Sequence, residues 1–314
     1  MSYIPPIPKQ LGINILTDIP IATLLPYIDW RFFFMAWRLT GKYTCIDEAC
    51  DCQSCQIGWL QQFPEADRPK AKEALSLYKD ARALLKETSE KGTLTAKAIV
   101  GIFSAFSENE GISFIHESEK IYIPTLRQQE FKKDGMYYSL ADFISPKKDF
   151  AGTFAVTVHG AEELSQAFEK IDDSYNSILI KTLADRLAEA AAEWLHEKIR
   201  KEYWGYATDE SLSIDDMLKL RYTGIRPAVG YPSLPDQSII FDLEPILPFV
   251  KIGIKLTENG AMYPNASVCG LVISHPQSQY FNIGKIDEEQ LTDYAQRKGK
   301  TTDEVKKWLA HNLS

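Results

Sequence analysis

The stretch IVGIFSAFSENEGISFIHESEKIYIPTL, residues 99–126, decides the fold. Three short runs within it, Ile99 to Phe106, Ile112 to His116 and Lys120 to Leu126, are rich in β-branched and aromatic residues and are separated by Gly, Asn and Pro signals, so they read as strands. Phe154 to His159 adds another strand, and Cys269 to Ser274 and Tyr280 to Ile286 two more. On both sides of this middle region the apolar period changes. From Pro69 to Lys91, residues Ala74, Leu77, Tyr78, Ala81, Leu84 and Leu85 recur at three-and-four spacing, with Gly92 placed to stop a helix. From about Asp172 to Trp204 a longer helix is predicted, with Leu183, Leu187, Ala190, Ala191, Trp194 and Leu195 on one stripe, Glu197 four residues from Lys201, and Gly205 after its end. Asp287 with Gln290 and Thr301 with Glu304 have capping-box spacing, which predicts two closing helices parted by Gly299. Strands grouped in the middle with helices around them predict an α+β fold rather than the regular alternation of a doubly wound α/β sheet.

The 314 residues are 45% apolar and 25% charged, a composition that excludes a disordered chain. The 35 Lys plus Arg against 43 Asp plus Glu leave a formal charge of −8, so no overall positive field is available to hold nucleic acid. No stretch approaches the length of a membrane span, and the opening MSYIPPIPKQ lacks the pattern of a signal peptide, so a cytoplasmic location is expected.

Phosphate-loop, dinucleotide-binding, zinc-protease and nucleophile-elbow signatures are all absent. The histidines at 116, 159, 196, 275 and 311 show no ligand spacing and read as structural or solvated. The aromatic run from Ile21 to Leu39, with Trp30, Phe32, Phe33, Phe34 and Trp37 around the charged pair Asp29 and Arg31, reads as core. The segment Gly224-Ile225-Arg226-Pro227-Ala228-Val229-Gly230-Tyr231-Pro232 holds one arginine in a loop stiffened by two prolines. Such an arginine can grip a carboxylate or phosphate through two parallel hydrogen bonds, and the same spacing also fits a plain surface turn.

An ordered set of motifs bears on that choice. It comprises Tyr27-Ile28-Asp29-Trp30, Ala141-Asp142-Phe143 with Pro146-Lys147, Ala184-Asp185-Arg186-Leu187-Ala188-Glu189-Ala190 and Tyr203-Trp204-Gly205-Tyr206. Gly224-Ile225-Arg226-Pro227 leading to Gly230-Tyr231-Pro232, Lys255-Leu256-Thr257-Glu258, and Ser274-His275-Pro276 before Tyr280 complete it. From about residue 18 onward this set resembles the C-terminal activation domain of cobalamin-dependent methionine synthase, which binds S-adenosylmethionine. The resemblance implies one curved domain over residues 1–314, with a central antiparallel sheet flanked by helices. It further implies that Arg226 grips the methionyl carboxylate, with Pro227 and Ala228 inside an R-x-x-x-G-Y motif that Gly230 and Tyr231 complete. Asp29, Glu189 and Tyr280 fall on further ligand-contacting positions, with Phe281 beside Tyr280. On the helical wheel Glu189 lies opposite the apolar stripe, the side that faces solvent unless the ligand groove lies there.

The family domain supplies the methyl donor when oxidised cobalamin is reduced and remethylated, with the electron typically coming from flavodoxin. The signature D-x-H-x-x-G of a cobalamin-binding module is missing, so a corrinoid protein, in the first instance a methionine synthase subunit or domain, is expected to dock in trans. Reactivation of a different corrinoid methyltransferase is a second possibility. The family's histidine beyond the G-Y-P motif is replaced by Gln237.

Four of five cysteines, Cys45, Cys50, Cys52 and Cys55, fall in a segment of about residues 44–58 that the family domain does not need. Cys52 and Cys55 form a C-x-x-C pair, and the four thiols could hold zinc or an iron–sulfur cluster, form a redox disulfide, or remain unligated. An iron–sulfur cluster there would make the chain a redox or interaction protein. Cys269 lies in a predicted strand and reads as packing.

Overall fold

Backbone placement is described for residues 3–39, 43, 46, 52–129 and 135–313 of the computed structural model. The strands are β1 (Gly12–Ile19), β2 (Thr95–Glu108), β3 (Gly111–His116), β4 (Glu119–Pro124), β5 (Asp149–His159), β6 (Lys255–Leu256), β7 (Met262–Tyr263) and β8 (Ser267–Val272). Six of them form one antiparallel sheet in the order β4-β3-β2-β5-β8, with β1 also paired to β2. The long strand β2 shares one edge between two partners: residues 96–102 pair with β1 and residues 104–108 with β3. Its other edge pairs with β5 over Thr95↔His159 to Ala105↔Asp149. The β2–β3 and β3–β4 hairpins turn on Asn109-Glu110 and Glu117-Ser118, all four at positive φ. That geometry matches the twist of the flanking strands.

Helices α1 (Ile21–Leu24), α2 (Trp30–Ala36), α3 (Gln53–Gln61), α4 (Arg68–Lys91), α5 (Ala161–Glu169) and α6 (Ser174–Lys198) are followed by α7 (Ile214–Leu218), α8 (Ile239–Leu243), α9 (Glu288–Lys298) and α10 (Thr302–Trp308). The two long helices fall where the periodicity predicts. Helix α4 ends at Gly92, whose φ of 63° is the left-handed stop. Asp173 caps α6 by accepting the Asn176 N–H at 3.0 Å. The Thr301 capping box and the Gly299 stop are formed as expected, and the Asp287 side chain accepts from the Gln290 N–H.

Both faces of the sheet are buried. Ala96, Ala98, Val100 and Ile102 of β2 pack in one core with α4 and α6, while Ile99, Phe103 and Ala105 point into a second core with α8, α9 and the turn Phe249–Ile252. Alternation across the pleat assigns each side chain to one layer. This is why β5 is buried along almost its whole length.

Two expectations are corrected, and one strand is found that the sequence reading did not name. Tyr280 to Ile286 is not a strand but an irregular run whose only ladder partner among the described residues is the bridge Ile286↔Leu313. Its backbone bonds instead to the 232–233 turn, through Ile283 N–H to the Pro232 carbonyl at 3.0 Å and Phe281 N–H to Ser233 Oγ at 3.0 Å. The apolar pattern there reflects burial of Phe281, Ile283 and Ile286 in the second core. Secondly, the aromatic run is only partly core: Phe33 and Phe34 are buried, but Phe32 is 53% exposed, with the Arg186 guanidinium 5.9 Å from its ring centre. Helix α2 has one inward face, and Phe32 lies off it. The additional strand is β1, an edge strand with a mixed burial pattern. Among the described residues no helix is long and apolar enough to cross a membrane.

Candidate functional site

The loop carrying Arg226 is bonded to the free edge of β8 as if it were a further strand. Ile225 and Ile273 exchange both backbone bonds at 2.9 Å, Leu271 N–H donates to the Pro227 carbonyl at 3.0 Å, and Val229 N–H donates to the Cys269 carbonyl at 2.9 Å. Close approach depends on Gly270, where a Cβ would lie 2.2 Å from the Pro227 carbonyl oxygen. Gly224, at φ 84°, starts the loop in a conformation that other residues rarely adopt. Pro227 and Ala228 are consequently buried backbone scaffold, and Gly230 is exposed.

From this scaffold Arg226 reaches α6. Its Nη2 donates to Glu193 Oε2 at 2.9 Å, and its backbone N–H donates to the Tyr280 hydroxyl at 2.9 Å. The Arg226 side chain is 14% exposed and that of Glu193 5%. Burial opposes the Arg226 charge, but the Glu193 carboxylate, with Tyr280, Tyr222 and Glu189 nearby, outweighs it and holds the guanidinium firmly protonated. Arg226 Nε and Glu193 Oε1 are buried with no hydrogen-bond partner among the described residues. Unpaired donors and acceptors in such a place call for a water or a ligand.

Tyr231, 48% exposed, donates its hydroxyl proton to Glu189 Oε1. Burial of the phenol, then the Glu189 charge, raise its pKa. Glu189 is therefore half-buried at the loop, not free on a solvated face. Glu189 and Tyr231 also line a cavity of about 160 Å³ between α6, the loop and the β7–β8 region.

Asp29 caps α2, and its carboxylate is taken by Arg31, with Nη2 to Oδ2 at 2.6 Å. The structure thus joins Arg226 to Tyr280, and Glu189 to Tyr231, while Asp29 engages Arg31 and not the Arg226 group. Phe281 turns inward, its ring in the second core near Tyr138 and Phe143. Gln237 is fixed by donating to the Gly260 carbonyl at 3.0 Å.

Beneath Arg226 lies a polar layer of which the sequence reading singled out only Glu189 as a site residue. Glu189, Glu193, His196 and Arg200 follow one another at four-, three- and four-residue steps along α6 and the turn after it, which puts them on one face. Arg200, fully buried, makes a bidentate pair with Glu210, at 2.6 Å from Nη2 and 3.0 Å from Nε, and stacks 4.5 Å from the Tyr222 ring centre. His196 packs edge-on to Tyr222 at 4.7 Å, and Tyr222 meets the Tyr280 hydroxyl at 3.3 Å. Burial, and then the Arg200 and Arg226 charges, push the His196 pKa well below its ordinary range, so the ring is neutral. The available signal was the polar repeat among Ala188, Ala190, Ala191 and Ala192.

Cys45 and Cys50 lie outside the described residues. Cys52 and Cys55 are exposed at the start of α3, where Cys52 Sγ accepts the Cys55 N–H at 3.3 Å. Among the described residues no group of three or more His, Cys, Asp or Glu side chains could hold a metal. Cys269 is buried, and burial pushes its thiol pKa up to about 12, in keeping with a packing role.

Comparison with known proteins shows what the fold and sequence are similar to. The crystal structure of the MetH reactivation domain bound to AdoHcy superposes with a TM-score of 0.88 and 41% sequence identity, covering 99% of this chain and 93% of that one. The family model for the activation domain of vitamin B12 dependent methionine synthase matches residues 20–299, a span that begins just after β1 and contains the other five strands of the main sheet and the Arg226 loop. Matching that model over most of its length, the chain belongs to the vitamin B12 dependent methionine synthase activation domain family.

Proposed function

We propose that this chain binds S-adenosylmethionine at the Arg226 loop and presents its methyl group to a cobalamin carried by a cobalamin-binding module of a methionine synthase outside these 314 residues. The carrying observation is the state of Arg226: a charged, 14% exposed guanidinium whose Nε has no partner among the described residues, on a loop hydrogen-bonded along β8. A carboxylate suits that donor, because a charge-assisted bond is roughly twice as strong as a neutral one. The similarity to a domain bound to AdoHcy, the thioether that methyl transfer leaves behind, supports the same ligand class.

In this reading Arg226 takes the carboxylate of the methionyl end. Glu189 and Tyr231, which line the neighbouring cavity, and the half-buried Tyr280 ring orient the remainder. An aromatic face beside a desolvated sulfonium contributes up to about 2 kcal/mol. Asp29 contributes only if its carboxylate leaves Arg31. Cobalamin, once reduced by one electron from an external donor such as flavodoxin, would supply the nucleophile for the methyl group, the sulfur keeping the bonding electron pair as the thioether. The protein's part is positioning, without an acid or base.

The experiment mixes this chain with a cobalamin-loaded corrinoid module of a methionine synthase, titanium(III) citrate and S-adenosylmethionine, and follows the visible spectrum. Remethylation that requires both this chain and S-adenosylmethionine is the expected result. Spectra unchanged by adding the chain contradict the reading.

A further inference from the structure

Glu193 stands out because a carboxylate that is 5% exposed is costly in the folded chain unless a cation answers it. Its neighbours on α6, Ala190, Ala191 and Ala192, are buried and small. Three other groups nearby do not answer it. Arg200 is committed to Glu210 in a bidentate pair, His196 is neutral, and Tyr222 has its hydroxyl on Tyr280. Among the described residues only Arg226 meets Glu193, through Nη2 at 2.9 Å. The loop backbone is bonded to β8, yet an arginine side chain keeps four rotatable bonds, and among the described residues nothing else bonds its far end.

We propose that Glu193 is a positioning residue for the ligand's carboxylate: it fixes the Arg226 guanidinium plane so that the remaining N–H groups face the groove. This rests on the ligand reading given above and deepens it. Fixing the fork before binding removes rotamer entropy that the ligand would otherwise have to offset, which is where the gain in affinity comes from. Glu193 itself does not touch the ligand.

A purely structural ion pair would hold the loop to α6 and affect every ligand alike. A positioning role affects only ligands that carry the amino-acid end. Calorimetric titrations therefore compare AdoHcy with 5′-methylthioadenosine, which keeps the nucleoside and the thioether but lacks the carboxylate. We expect Glu193→Ala to weaken AdoHcy about tenfold, the scale of one hydrogen bond to a charged group. Methylthioadenosine binding should change less than about twofold on the same scale. Glu193→Gln, which keeps an acceptor oxygen, should recover part of the loss, and adding Glu193→Ala to Arg226→Ala should cost nothing more. Equal losses for both ligands, unchanged AdoHcy affinity, or tighter AdoHcy binding in the variant would each overturn the positioning role. If the wild-type chain binds AdoHcy and Arg226→Ala loses it while Glu193→Ala does not, only this inference falls; if the wild type binds no AdoHcy, the ligand reading falls with it.

Discussion

The Tyr280 hydroxyl accepts the backbone N–H of Arg226 at 2.9 Å, joining an irregular C-terminal segment to the loop on the edge of β8. Tyr280 is thereby part of how the loop is held.

Removing that hydroxyl has a defined cost. In Tyr280→Phe the Arg226 N–H loses its acceptor while the ring remains, and a buried unsatisfied donor costs about 1–3 kcal/mol. Urea unfolding should show a loss in that range, and AdoHcy affinity should fall. Unchanged stability would mean that the bond is replaced by water.

Gly270→Ala tests the loop's dependence on β8. The new Cβ would lie 2.2 Å from the Pro227 carbonyl oxygen and 2.7 Å from Ala228 Cα, both backbone atoms with no rotamer to yield. Displacing the loop should cost about 1–3 kcal/mol and weaken AdoHcy binding. A variant with wild-type melting temperature and affinity would show that the contact relaxes freely.

The Arg200–Glu210 pair is the most deeply buried ion pair near the site, with side chains 0% and 9% exposed. Glu210→Ala leaves the Arg200 charge uncompensated and should destabilise the fold by about 3–5 kcal/mol. Replacing both residues by methionine should recover much of that loss. Equal instability of the single and double variants in urea would contradict a desolvation origin.

His196 makes stability depend on pH in one direction. Its folded-state pKa lies well below 6.5, because burial and the Arg200 and Arg226 charges disfavour the imidazolium. Below about pH 6.5 the unfolded chain binds a proton that the folded chain refuses, so stability is full above that value and falls as the pH drops, by up to about 1.4 kcal/mol per unit. His275 shifts in the same sense and is present in both proteins being compared. Unfolding free energies between pH 7 and 5 should therefore fall more steeply for wild type than for His196→Gln. Parallel slopes would sink this account.

Periodicity made α4, α6 and the closing helices legible, because each carries its own stop or cap in Gly92, Asp173, Gly299 and Thr301. The central strands were legible because β-branched runs alternate with hairpin turns. Tyr280 to Ile286 misled, since Phe281 and Ile283 are apolar to fill the second core while their backbone bonds go to the Pro232 turn. Arg226 was legible from its proline-stiffened loop and from the family resemblance. Glu193 was not, because a helical wheel shows which residues share a face but not that a loop some 30 residues later brings a cation to it.

The most direct measurement is a calorimetric titration of AdoHcy into the wild-type chain and into Arg226→Ala. Saturable binding by the wild type that disappears, or weakens at least about a hundredfold, in the variant is the predicted result, in line with loss of a charge-assisted contact of about 3 kcal/mol. Equal affinity in the two proteins, or no binding by the wild type, would contradict the assignment of Arg226 as the residue that holds the ligand's carboxylate.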